Sequence, residues 1–436
     1  MYWDGTHWVD ARSSAVARGW WRRAPARVAV VFATLLLPAL LLPFLPTTPV
    51  SSSGPLATST TGAIAMDATT APDSAFLDPR SDRWIDPTTD PTADPTHQAT
   101  VTPAPLVQAK AAPAPPASRQ GTSPTPKPRA PVPPIGDLQA ALDRTGSGHT
   151  LDAGGQSFAL SHLSIPAGVT LADARITYHG GAGGYQTAMI DLQDGSGLRQ
   201  VVAIGGPYAV VRVWDGVSGA AIVDSDVSAG PALGILGYGC SGLRVTGTRI
   251  HGNNSGAGDP GNEAGGIKLG ACSGVTISGD QVDHNGGPGI WADVGSSGWT
   301  ISHNRVHHNT YAGIMYEISR SGAILDNAVW ENGWGDHRST IWGAGILVSS
   351  SGSTRVSGNI VAWSQEGISF ISQNRGVSTS GDSATGNLVA VSGGRTAVGY
   401  FTDWGDPAAP TFSSNSRPSS SQLAAAGIPT APASGH

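Results

Sequence analysis

A Gly-Ile pair recurs at near-regular steps along the second half of the chain, at Gly234, Gly266, Gly289, Gly313, Gly345 and Gly367, each followed by isoleucine. The intervals are 32, 23, 24, 32 and 22 residues, so the unit is near 23 residues and two units carry about nine more. Between the pairs lie short β-type runs broken by Gly, Ser and Asn, with no helical periodicity. A run this short cannot bury a face alone, so the units must stack on one another.

Polar residues keep the same step. One column reads Ser225, Thr248, Asp280, Asn304, Asn327, Asn359 and Asn387; another reads Asn253, Asn285, Asn309 and Asn332. Amides stacked one per unit can hydrogen-bond along the column. A leucine-rich repeat shares the period but needs several leucines per unit, and a β-propeller needs about twice the length. Composition agrees with a turn-rich β chain: 59 glycines, and only 13% charged residues.

This pattern resembles the right-handed parallel β-helix, or pectin-lyase-like, fold over about residues 136–400. Within it "DLQAALDRTGSGHTLDAGG" (137–155) resembles the helical cap and first strand, and "IPAGVTLADARI" (165–176) the first coil. The resemblance implies an all-β solenoid with a short N-terminal helical cap, spanning 135–415 and followed by a tail, 416–436. The family includes pectate lyases, polygalacturonases, mannuronan epimerases and many proteins without a known activity. In it, catalytic and substrate-binding groups commonly lie on one strand face between long loops.

The N-terminal part has a different grammar. Residues 28–45, "VAVVFATLLLPALLLPFL", run without a charge, at the short end of what spans a bilayer. Arg12, Arg18, Arg22, Arg23 and Arg27 precede the run, and the next base is Arg80. The positive-inside rule then keeps 1–27 in the cytoplasm and exports the rest, giving a single-pass protein at the cell surface. The alternative is a secreted protein, its signal peptide cleaved near "GAIA" (62–65). Residues 46–134, rich in Thr, Ser, Pro and Ala, cannot bury enough apolar surface to order, and their prolines keep them extended as a stalk. The opening "MYWDGTHWV" resembles the "WDGxxW" end of a short Trp-rich cytoplasmic module found near membrane anchors in some bacterial proteins.

Charge narrows the partner. From Pro134 onward there are 22 acids and 14 bases, a balance that speaks against nucleic acid as the partner. Along a strand, side chains alternate between faces. With the Ile column inward, the outward columns are Leu236, Lys268, Trp291, Met315, Leu347, Ser369 and Tyr238, Gly270, Asp293, Glu317, Ser349, Ile371. Asp293 and Glu317 therefore stack on neighbouring coils, where mutual repulsion should raise one pKa. Lys268, the only lysine after Lys127, and Trp291 lie beside them.

The two insertions, 255–265 and 333–344, should rise as walls around these acids. Asp293, Glu317 and Lys268 are thus the candidate catalytic residues. Trp291, Tyr238, Asn262, Glu263 and His337 are the candidate substrate contacts, and Asp293 with Glu317 could hold Ca²⁺ through oxygen. "GDPGNE" (258–263) faintly resembles an epimerase acidic motif but lacks that motif's His.

His284 and His308 share a column with Glu331, as stacked turn residues or as a metal pair or base; His303 reads as a turn residue. Cys240 and Cys272 stand six residues after successive repeat glycines, stacked either as a disulfide or as two thiols. Two function classes remain. One is an extracellular enzyme (lyase, hydrolase or epimerase) acting on polysaccharide. The other is a non-catalytic glycan-binding or structural β-helix.

Overall fold

The computed structural model describes residues 2–3, 8–9 and 132–433, apart from 257, 339, 340, 405 and 407. The apolar run at 28–45 and the stalk through residue 131 lie outside the described residues. Among those described, no helix is long and apolar enough to cross a membrane. At the extreme N-terminus Tyr2–Trp3 pairs antiparallel with Trp8–Val9.

The repeat unit is one turn of a parallel β-helix. Each coil lends one strand to a ten-stranded sheet that runs from Leu163–Ile165 to Val398–Thr402. Two further faces are built from three-residue strands, each pairing with its counterpart one coil away. Arg244–Thr246, Thr276–Ser278 and Thr300–Ser302 belong to one; Arg249–His251, Gln281–Asp283 and Arg305–His307 belong to the other. Every such pairing is parallel and in register. Strand neighbours are therefore equivalent positions of successive repeats, which is what a fixed period requires.

The isoleucine column behaves as expected. Ile235, Ile267, Ile290, Ile314, Ile346 and Ile368 pair in one line and are fully buried. They share the interior with two other lines, one of them Ile250, Val282, Val306, Val329 and Val361. At the N-terminal end a helix, α1 (Leu138–Arg144), presses Leu138 and Leu142 onto the first coil. Its N-cap Asp137 accepts the Ala140 N–H, so the orphan donors of the first turn are partly met.

The polar columns form ladders at the corners. Each Asn Nδ2 donates to the next Oδ1: Asn304 to Asn327 (3.0 Å), Asn327 to Asn359 (2.9 Å) and Asn359 to Asn387 (2.9 Å). The second ladder runs Asn253, Asn285, Asn309, Asn332 at 2.8–3.0 Å. The residue just before a ladder amide lies in the left-handed region, as at His284 (φ 56°), His303 (φ 58°), His308 (φ 55°) and Glu331 (φ 53°). That conformation turns the amide inward and the preceding side chain out. His303 is thus an exposed turn residue.

Cys240 and Cys272 are bonded across adjacent coils, with Cα atoms 4.5 Å apart. Residues 416–433, in the part the sequence sets apart as a tail, are packed. Their helix α2 (Ser420–Ala425) seats Leu423 on Trp330, Trp363 and Ala390, with Ile428 beside it. Trp363 Nε1 donates to the Pro429 carbonyl (2.7 Å), and Arg305 donates to those of Ala426 and Gly427.

Candidate functional site

Asp293 closes the strand Ile290–Asp293 and Glu317 closes Ile314–Glu317, on neighbouring coils of the ten-stranded sheet. The sequence reading placed them together, and the structure does so. Their environments differ from the expected open pair, however. Lys268 reaches Asp293 Oδ2 at 3.0 Å and also donates to the Asn262 carbonyl. Its ammonium lies 3.9 Å from the centroid of the Trp291 ring, a cation–π contact.

Glu317 is 5% exposed. Trp291 Nε1 donates to one of its oxygens (3.1 Å), and Arg375 pairs with the other. Burial pushes the Glu317 carboxyl upward, the Arg375 charge opposes this, and Asp293 adds a smaller upward push. Repulsion between the acids is thus a minor influence beside desolvation, because each acid owns a cation.

Arg375 was absent from the sequence reading. It sits in the loop after Glu366–Ser372, two coils beyond Glu317, outside any repeated column. An arginine in a Gly- and Ser-rich loop offers no periodic signal.

Two corrections follow for the groove. The second insertion does not stand as a wall. Trp342 and Ile341 fold down onto Met315 and Leu347, and Trp291 is sealed in the same apolar cluster at 2% exposure. Asp336, fully buried, anchors this loop through Arg338, whose guanidinium lies 4.0 Å from the Trp342 ring centroid. Trp291 therefore supports Glu317 and is closed to a substrate.

The second correction concerns Glu263. It lies at the opposite end of the strands from Asp293, buried, accepting from Gln186 (3.0 Å) near Tyr208. Asn262 is exposed and contributes its carbonyl to Lys268; His337 is exposed on the second insertion. As a Ca²⁺ pair the two acids do not fit, since two carboxylates offer four oxygens at most where Ca²⁺ takes about six to eight, and Lys268 and Arg375 already balance their charge.

What remains open to solvent is one column. Tyr238 is 46% exposed and lies over Gly270, whose missing side chain makes room for the ring. Trp214, half-buried, stands one coil earlier at 6.1 Å between ring centroids. Gly270 pairs with Asp293, the next residue along. An aromatic platform thus leads to a carboxylate–ammonium pair.

A second cluster lies on another face. Asp283 pairs with His307 in the strand register, and His284 and His308 stand beside them with rings parallel at 4.8 Å. His308 Nε2 meets Glu331 at 2.8 Å.

A family model described as "Right handed beta helix region" matches residues 213–361, so the chain carries a right-handed β-helix. No curated protein matches the sequence. Solved structures are similar at low identity, three of them as follows. The Dettilon tailspike protein (gp208) is 16% identical, with 61% of this chain and 55% of that one covered and a TM-score of 0.44. The chain therefore spans about half the length of that tailspike. The endo-xylogalacturonan hydrolase of Aspergillus tubingensis is 14% identical, with 64% and 87% covered and a TM-score of 0.46. The A-module of the Azotobacter vinelandii mannuronan C-5 epimerase AlgE6 is 14% identical, with 65% and 94% covered and a TM-score of 0.37.

Proposed function

We propose that this β-helix engages polysaccharide along the outward column Trp214, Tyr238, Gly270, Asp293, as a glycan-binding domain displayed at the cell surface. The observation that carries the reading is the exposed ring of Tyr238 lying over a glycine and leading to Asp293. Sugar rings stack on such aromatic faces through their C–H groups, and a carboxylate at the end accepts from hydroxyls. Display rests on the basic flank, the apolar run 28–45 and the extended stalk. The acid excess and the pairing of both nearby cations favour a neutral glycan over a polyanion.

Catalysis is the second reading, favoured by the 3.0 Å Lys268–Asp293 pair at the end of the platform. Hydrolysis by a carboxylate pair needs both acids at the glycosidic bond. Glu317 is sealed beneath Arg375 and Trp291, so that route has one acid too few. Proton transfer by Asp293, with Lys268 stabilising developing negative charge, needs only the one acid and its paired ammonium.

Binding of the full chain to a panel of neutral and uronate polysaccharides, followed by product analysis of each hit, separates the readings. Tyr238→Ala should weaken binding by about tenfold, or ~1.4 kcal/mol. Unchanged glycan with intact binding supports the binding domain. New reducing ends or unsaturated products that vanish in Asp293→Asn support the enzyme. Parent-like binding by Tyr238→Ala and Asp293→Asn together would remove the column from the argument.

A further inference from the structure

The cluster away from the platform has the composition of a metal site. Asp283, His284 and His307 each offer one ligand atom, and these atoms lie within 4.8 Å of one another. Asp283 and His284 belong to one coil and His307 to the next. We infer that these three side chains form a site for a borderline divalent cation of the Zn²⁺ type, which ties two adjacent coils together on the lateral face.

The donor set argues the class of ion. Two imidazoles and one carboxylate suit zinc and its neighbours, whereas Ca²⁺ and Mg²⁺ require more oxygens. The surroundings have the form of a supporting shell. Arg249 grips Asp283 with Nε (3.1 Å) and Nη2 (3.0 Å), Gln281 Nε2 adds a third bond (2.8 Å), and His284 Nδ1 lies 2.7 Å from Oδ2, so carboxylate and imidazole are already set side by side. Trp330 stacks on the His307 ring at 4.1 Å between centroids and fixes its plane.

The remaining histidine anchors His307. Nε2 of His308 faces Glu331, and its Nδ1 lies 2.9 Å from Nδ1 of His307, so His307 has one nitrogen held by a carboxylate-anchored neighbour and Nε2 left over for a cation. A ligating histidine whose other nitrogen is held by a carboxylate-anchored partner is the usual support of such sites. Access is open: the His284 side chain is 60% exposed, while that of Asp283 is 1% exposed. Polar turn residues stacked by the repeat account for the histidine column alone; the repeat does not require Asp283, whose equivalents are His251, His307 and Trp330.

The test uses the full chain, stripped with chelator and titrated with Zn²⁺ by calorimetry and with Co²⁺ by visible absorption, with Ca²⁺ as the comparison ion. One equivalent should bind with an upward shift of the melting midpoint, while Ca²⁺ gives neither effect. His284→Ala, at an exposed position, should remove that equivalent or weaken it about tenfold or more. His303→Ala, an exposed histidine outside the cluster, should titrate like the parent. His307→Gln should also lose the ion, with circular dichroism reporting whether the coils persist. If the parent takes up no stoichiometric Zn²⁺, or if His284→Ala titrates and melts like the parent, the site is overturned. Because this face is separate from the Tyr238 column, that failure would leave the glycan reading untouched.

Discussion

Two buried acids show how much one atom matters within a repeat. Asp280 occupies a ladder position taken by asparagine in the following coils. Its Oδ1 accepts from Thr248 N (2.7 Å), but its Oδ2 has no hydrogen-bond partner. Burial holds its carboxyl up at about 7, against 3.8 in an unfolded chain. The folded state thus keeps a proton that the unfolded state releases, so this contribution to stability is complete below pH 3.8 and lost as pH rises to about 7. Asp280→Asn should raise the denaturation midpoint at pH 8 and flatten its dependence between pH 4 and 7; an unchanged profile would show that Asp280 is not the titrating group. The columns were legible as letters, but the cost of one acid among amides required the missing partner to be seen. At Glu317 the sequence led to an expectation of mutual repulsion with Asp293, whereas the structure gives it Arg375. Arg375→Met should destabilise by roughly 3–5 kcal/mol, because it strands a buried carboxylate. Urea denaturation measures this, and a loss under 1 kcal/mol would mean that water replaces the guanidinium.

Among elements, the strands were the most readable part, since alternation and period fix both their faces and their partners. Ile314, fully buried in the central line, tests this directly: Ile314→Ala should cost about 2–5 kcal/mol in the same denaturation assay. A cost near zero would place the side chain outside the core. The insertions were located correctly by their length but not by their fold. Nothing periodic announces that Trp342 and Ile341 turn back over Trp291 and Met315, or that Asp336 is buried with Arg338. Those contacts join residues far apart in the repeat and depend on loop geometry. The helix α2 was missed for a similar reason. Six residues with a single buried leucine carry too little amphipathic signal, and its docking depends on Trp330 and Trp363 from other coils.

For the whole molecule, the solenoid, its cap and its stacking direction could be read from the sequence, because one unit repeated many times averages out local ambiguity. The surface that such a solenoid uses could be read only in part: Asp293, Glu317 and Lys268 converge as expected, while Trp291 and Glu263 face inward. The proposed display makes its own prediction. Protease added to intact cells should cut within 46–131 and release a resistant fragment containing the coils, with the fragment mass read by spectrometry. Cleavage only after lysis would reverse the orientation.

Under the proposed display, the disulfide between Cys240 and Cys272 has a mechanical consequence for a chain held through its N-terminal side. Force entering there would strip the cap and then peel coils one after another, as a thread leaves a spool. Peeling would halt at residue 240, where the covalent bridge carries the load past the next 32 residues and shields them. A reductant should lengthen the force-extension trace by about 110 Å at that point, the reach of a stretched segment of this size. The bond would thus keep the coil that bears Lys268 from paying out, handing the load directly to the chain after Cys272.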